Sequence, residues 1–400
     1  MTLSGTDRAL TDLIRAGFSP FTAPAESLSM ADSDWARLIE YARRENLTAL
    51  FYVALKHSQR LAELPRDLAE SLRMMYLRAD IASWQAVRVV EDFVAQFERA
   101  NVPVVLLKGA ALGVALYRDP ALRQLGDLDV LIREQDKVRA AALLQANGFT
   151  SLLDLADGFR EELGSEQCYT RRGKRSATVD LHWHVISVPP QARQTSVDWF
   201  WARTMELPLG NRRVTVLNWD AQLLHLAEHF VIHHRMRGLR WSCDIALLLA
   251  LHQNELHWDQ IIDDARQFQV LPALNAVLAH VDDMWGVAAP EHVRAQLAES
   301  ANDLAGRISV IVSTAERTDA LIFREGLSYR SWRHRASYFF YNFFPSPAYM
   351  RTRYRISHSA LIPVFYVVRL GLGARRLVKS LGSIFRNARK LAHETRQSEV

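Results

Sequence analysis

Two aspartates stand two apart in "RQLGDLDVLI", residues 123–132, a run that otherwise reads as a buried strand. Alternate side chains of a strand share a face, so Asp127 and Asp129 point one way while Leu128, Val130 and Ile132 point into a core. Two like charges about 7 Å apart along the backbone repel when left alone. A hard divalent cation removes the conflict. Mg²⁺, with Mn²⁺ as a substitute, takes carboxylate oxygens together with substrate phosphates. Two such ions roughly 4 Å apart can hold both the attacking and the leaving oxygen of a phosphoryl or nucleotidyl transfer.

That chemistry wants a third acid on a neighbouring strand, and "ATVDLHWHV", residues 177–185, offers one. Val179, Leu181, Trp183 and Val185 form one face; Asp180, His182 and His184 form the other. Asp180 is the candidate third ligand, able to take the proton of an acceptor hydroxyl. His182 and His184 are placed either to line a substrate or to pack through hydrogen bonds. Upstream, "LLKGAAL" sets Lys108 and Gly109 where a strand ends and a helix begins, a place for backbone N–H groups and an ammonium to meet phosphate. Arg123 is placed to meet the remaining triphosphate charge.

The elements that must position these residues follow from periodicity. Residues 1–100 read as a helical region, ending in a long helical pattern before Asn101. Residues 101–215 read as a small mixed sheet flanked by helices: VPVVLL and LGDLDVLI are strands, and EQCYTRRGKRSATVDLHWHVI is a hairpin turning at Arg172 to Lys174. After Pro189 and Pro190 the chain reads as a linker. Helical periodicity returns from Asp220, giving a second helical region over 216–330 and a basic amphipathic tail over 331–400. The fold class expected is α+β.

Composition limits the surroundings. From Arg330 onward there are 14 Arg and Lys against Glu394 and Glu399, while the first 329 residues hold 35 basic and 42 acidic side chains. The basicity belongs to the tail. It favours an anionic membrane surface or an acidic partner, with nucleic acid also admitted by the charge. Cys168 and Cys243 cannot build a disulfide framework, and both read as small buried hydrophobes. The charged N-terminus lacks a signal-peptide core, and "SALIPVFYVV" is too short to span a bilayer. A cytoplasmic protein, peripheral at the inner membrane face if the tail binds lipid, is the expectation.

Taken together, Lys108-Gly109, Tyr117, Arg123, Gly126-Asp127-Leu128-Asp129 and Asp180-Leu181-His182-Trp183 resemble a known family, the nucleotidyltransferases of the DNA polymerase beta superfamily. Within it they are most similar to a poorly characterised bacterial group. The resemblance spans about residues 80–250. It differs from better-known members at the phosphate turn, where Gly109-Ala110 replaces Gly-Ser or Gly-Gly, and in the 18 positions from Gly109 to Asp127. It implies Mg²⁺-dependent transfer of NMP from an NTP to a hydroxyl or phosphate acceptor. Asp127, Asp129 and Asp180 would be catalytic; Lys108, Gly109, Arg123 and Gly126 would hold the donor; Tyr117, His182, His184, His225 and His229 would line the substrate. Sugar, lipid, peptide and protein acceptors, in polysaccharide or modified-peptide pathways, fit equally.

Two rival readings stand beside it. A degenerate member would keep the fold as a nucleotide-binding scaffold or sensor. Alternatively, His225, Glu228 and His229 spell H-x-x-E-H on a helix, a zinc-peptidase spacing, with Arg240 and Asp244 on the next helix expected to pair with the histidine face.

Overall fold

The computed structural model describes residues 5–21, 31–117, 119–151, 165–173, 176–186, 193–301, 326 and 331–375. Four helices lead in: α1 (Gly5–Gly17), α2 (Asp32–Arg44), α3 (Thr48–His57) and α4 (Arg66–Arg99). At 34 residues, α4 runs about 50 Å. Its first half buries Leu72 and Ala79 in one core and its second half buries Val90, Phe93, Val94 and Phe97 in another.

Seven strands follow: β1 (Val104–Leu106), β2 (Leu128–Ile132), β3 (Thr150–Ser151), β4 (Glu166–Arg171), β5 (Ala177–His182), β6 (Thr204–Leu209) and β7 (Arg212–Leu217). Between them lie α5 (Lys108–Leu112), α6 (Lys137–Ala146) and α7 (Arg193–Ala202). The sheet order is β3-β4-β5-β2-β1-β7-β6. β2 runs antiparallel to β1 and parallel to β5, so the sheet is mixed and the fold is α+β. The stretch expected as a linker after Pro190 instead holds α7 and the β6–β7 hairpin, whose second strand pairs in parallel with β1 and extends the sheet. Gly210, at φ +55°, turns that hairpin beside Asn211, a Gly-Asn pair that suits a tight two-residue turn.

Five helices pack on one side of the sheet: α8 (Trp219–Ile232), α9 (Leu239–His252), α10 (Trp258–Gln267), α11 (Leu271–Trp285) and α12 (Glu291–Ala301). They share a core with α1–α3 and the first half of α4. The opposite face of the sheet closes a second core against α6 and the rest of α4. The alternation in β2 decides which residues face which: Leu128, Val130 and Ile132 enter the second core, whereas Leu131, on the face of Asp129, enters the first. The aspartate face is therefore roofed by helices.

A third unit consists of α13 (Trp332–Phe343), α14 (Pro347–Tyr354) and α15 (362–375), with a small core of its own around Met350, Ile356 and Ile362. The remainder of the expected basic amphipathic tail lies outside the described residues. Among the described residues, no helix is long and apolar enough to cross a membrane.

Candidate active site

Register brings the acids together. In the parallel pairing of β2 with β5, Asp129 lies opposite Asp180, and in the antiparallel pairing of β4 with β5, Cys168 lies opposite Asp180. One row across three strands therefore reads Cys168, Asp180, Asp129. Asp127 stands exposed one residue before β2.

The three carboxylates are electrostatically unequal. Asp129 is buried, and its Oδ1 accepts from Lys108 Nζ at 2.6 Å while lying 2.9 Å from His182 Nε2. Burial pushes its carboxyl up, but the hydrogen bond to His182 and the Lys108 charge win and hold it well below the usual carboxylate range. Lys108 is raised in return: burial disfavours its charge, yet Asp129 outweighs that cost. Both bonds to Asp129 land on Oδ1, which leaves Oδ2 uncommitted among the described residues. On its other side, His182 Nδ1 lies 3.1 Å from Glu166 Oε2, so a chain runs Lys108, Asp129, His182, Glu166.

Asp127 and Asp180 go the other way. Desolvation, then the charges of Asp129 and Asp180, raise Asp127. Asp180 is raised by desolvation and by Asp129 and Glu166, against an opposing hydrogen bond from the Cys168 thiol. Its Oδ1 is buried without any hydrogen-bond partner. A buried carboxylate oxygen with no donor is costly, and these hard oxygens suit a divalent cation. The donor set thus fits Mg²⁺ or Mn²⁺. As the side chains stand, no three His, Cys, Asp or Glu among the described residues converge closely enough to hold an ion, so binding would draw the carboxylates inward.

The roof is α8. Its N-terminus is capped by Asn218, whose Oδ1 accepts from Ala221 N at 3.1 Å, and the helix is buried on every side from Asp220 to Val231. His225 and His229 face the carboxylate site: both are held well below the ordinary histidine range, first by desolvation and then by the charge of Lys108. Neither ring nitrogen of His225 has a hydrogen-bond partner. His229 Nε2 is 3.0 Å from His234 Nε2, and His234 stacks on Trp241 at 3.9 Å between ring centres. The ring centres of His225 and His229 lie 5.8 Å apart, and, as for the carboxylates, no group of three ligands including them stands close enough to hold an ion among the described residues.

Three sequence-based assignments change. Arg123 is not free to meet a triphosphate, because its guanidinium is buried against Asp244, Nε to Oδ1 at 2.8 Å and Nη2 to Oδ2 at 2.8 Å. Tyr117 is buried and donates through its hydroxyl to Asp244 Oδ1 at 2.7 Å, which engages it in the Arg123 clamp. Asp244 consequently joins the Arg123 loop to α9 and does not pair with the histidine face. Gly109 makes room for this clamp, since a Cβ there would stand 3.2 Å from Arg123 Nη1. Gly126 is exposed with open space around it, and His184 is buried just beyond β5. Cys243 is buried as expected, but Cys168 is half-buried and bonded to Asp180.

Sequence reasoning also missed a cleft of about 440 Å³ between the end of α2 and the α8–α9 turn, lined by Arg44, His233, His234, Arg235, Arg237, Arg240 and Trp241 among others. Arg240 makes no ion pair among the described residues. Its guanidinium lies 4.3 Å from the Trp241 ring centre, and its charge reaches Asp127. Desolvation and the neighbouring Arg123 push it down. The surface is concave and backed by Trp241, and it carries four arginines against one carboxylate, Glu45.

Comparison with known proteins adds the following. The family described as "Uncharacterised nucleotidyltransferase" matches residues 31–286. Among solved structures, the chain is similar to an antigenic nucleotidyltransferase-like protein from Paracoccidioides brasiliensis. Identity is 15%, the match covers 49% of this chain and 94% of that one, and the TM-score is 0.32. A search of curated proteins finds no match.

Proposed function

Because this chain belongs to the uncharacterised nucleotidyltransferase family matched over residues 31–286, we propose that it transfers NMP from an NTP, ATP among them, to a hydroxyl or phosphate acceptor. The observation that carries this reading is the in-register row of Asp180 and Asp129 on parallel strands, with Asp127 at its mouth and an unsatisfied oxygen on Asp180. The reading places the chain within the DNA polymerase beta superfamily, with a sugar, lipid, peptide or protein as acceptor.

In the reaction proposed, an acceptor oxygen attacks the α-phosphorus of the NTP, a new P–O bond forms and pyrophosphate leaves. The acceptor's proton passes to the carboxylate of Asp180. Mg²⁺ held by Asp127, Asp129 and Asp180 would supply charge stabilisation for the attacking and leaving oxygens. Lys108 neutralises Asp129 and would turn its ammonium to a phosphate. Arg240, in place of Arg123, presents the uncommitted charge that would hold the triphosphate end. His225 and His229, kept neutral, would contact substrate from the roof without adding charge.

A thermal melt with each NTP, with and without Mg²⁺, tests this without knowledge of the acceptor. Ligand at a hundred times its dissociation constant adds about 2.7 kcal/mol to the folded state. The expected result is a rise in melting temperature that needs both Mg²⁺ and an NTP and is absent in Asp127→Asn/Asp129→Asn. Binding without pyrophosphate release across sugar, lipid and peptide acceptors would favour the scaffold reading; no shift with any NTP would refute both.

A further inference from the structure

The α13–α15 unit exposes what soluble helices normally bury. On α15, Ile362, Phe365 and Tyr366 face inward, with Phe365 packed on Tyr354 and Tyr366 on Phe344. The outward side carries Val364 at 56% exposure, Val367 at 70%, Val368 and Leu372, continuing from Leu361 just before the helix. A helix apolar on all sides belongs in a core or at a lipid interface. Trp332, 72% exposed, with Phe340 on α13 and Phe344 just after it, extends the apolar surface with the aromatic residues favoured at membrane interfaces.

The charge carried by this unit has one sign. No Asp or Glu occurs from residue 326 to 393. Arg333, Arg351, Arg353, Arg355 and Arg375 are exposed, whereas Arg369 is turned inward, donating to Asn342 O at 2.8 Å and lying over the Tyr349 ring. A second copy would bring these cations against one another, and a nucleic-acid backbone offers nothing to exposed valines. Both features are satisfied together by an anionic lipid surface, where apolar side chains enter the acyl boundary and arginines meet headgroup phosphates.

We propose that the α13–α15 unit docks the protein on anionic membranes, with the outward face of α15 and the exposed aromatics of α13 inserted and the surrounding arginines on the headgroups. The surface is remote in sequence from the carboxylate site and does not depend on the reaction assigned there.

Flotation of the full chain with vesicles tests it. Phosphatidylcholine vesicles containing a third phosphatidylglycerol should bind the protein at least roughly tenfold better than phosphatidylcholine alone, with binding falling as salt rises. Each basic side chain near such a surface is worth roughly fivefold in partition, so Arg351→Gln/Arg353→Gln/Arg375→Gln should weaken binding about a hundredfold. Val364→Glu/Val367→Glu should abolish it, while melting temperatures stay unchanged because every altered residue is exposed. Failure of the wild type to float, equal binding to neutral vesicles, or undiminished binding by either variant overturns the proposal. So would a wild-type oligomer that Val364→Glu/Val367→Glu dissociates without loss of vesicle binding, since a second copy would then cover the face.

Discussion

Two charged clusters, one fully and one partly buried, sit within a few residues of each other, and they are finished to different degrees. In the first, Arg123 meets Asp244 through two nitrogens and two oxygens, and Tyr117 supplies a further donor. In the second, Asp127 is raised by desolvation and by Asp129 and Asp180, Asp180 is raised by desolvation and by Asp129 and Glu166, Asp180 Oδ1 has no donor, and His225 has no partner at either nitrogen. A saturated cluster holds parts of a fold together. An unsaturated one costs free energy in the free protein wherever its partnerless atoms are buried, as at Asp180 Oδ1 and His225, a cost recovered when a ligand completes it.

The sharpest break of this comparison is a double dissociation. Asp127→Asn should lower turnover by at least about 10³-fold and leave the fold intact, since Asp127 is exposed, whereas Arg123→Met should leave Asp244 buried and unpaired, destabilising by about 3–5 kcal/mol. Acceptor-dependent pyrophosphate release and a denaturant titration read the two. Equal loss of stability in both variants would erase the distinction. Next in size, Asp180→Asn should cut turnover by about 10²–10⁴-fold while raising the melting temperature, since it removes a like charge beside Asp127.

A smaller effect concerns pH. His225 and His229 sit well below the ordinary histidine range, and His234 is pushed down to about 4 by burial and by His233. For each, the unfolded chain binds a proton first as pH falls, so stability drops below about pH 6.5 until the folded ring also titrates. The slope is at most about 1.4 kcal/mol per pH unit for each fully buried ring. Chemical denaturation at pH 7 and pH 5 should show the loss, and His225→Leu should flatten it. The smallest expected change is in ion binding. Because Asp127 and Asp180 titrate above the usual carboxylate value, the Mg²⁺ concentration giving half-maximal thermal shift should rise as pH falls toward that value. A pH-independent midpoint would place the ion elsewhere.

The strand-borne part of the site was legible in the sequence because a period of two speaks directly about faces: Asp127 with Asp129, and Asp180 with His182, follow from alternation alone. What alternation cannot give is the partner across a long loop. Arg123 and Asp244 are 121 positions apart, and no local pattern marks which of several nearby cations Asp244 will meet. Glu166 was not legible for a different reason. The turn expected at Arg172 to Lys174 lies within the connection between β4 and β5, but a turn position alone does not give the register that sets Glu166 opposite His182. The β6–β7 hairpin was visible in principle as two apolar-alternating runs around Gly210-Asn211, and the preceding prolines outweighed it.

The long helix α4 has a consequence for how the molecule opens. Because one continuous rod is anchored in both cores, neither core can separate locally without breaking the rod or dragging the other with it. The backbone amides at Leu72 and Phe93, one in each core, should therefore exchange with solvent deuterium at a common rate set by global unfolding, making the sheet and the helical roof one cooperative foldon.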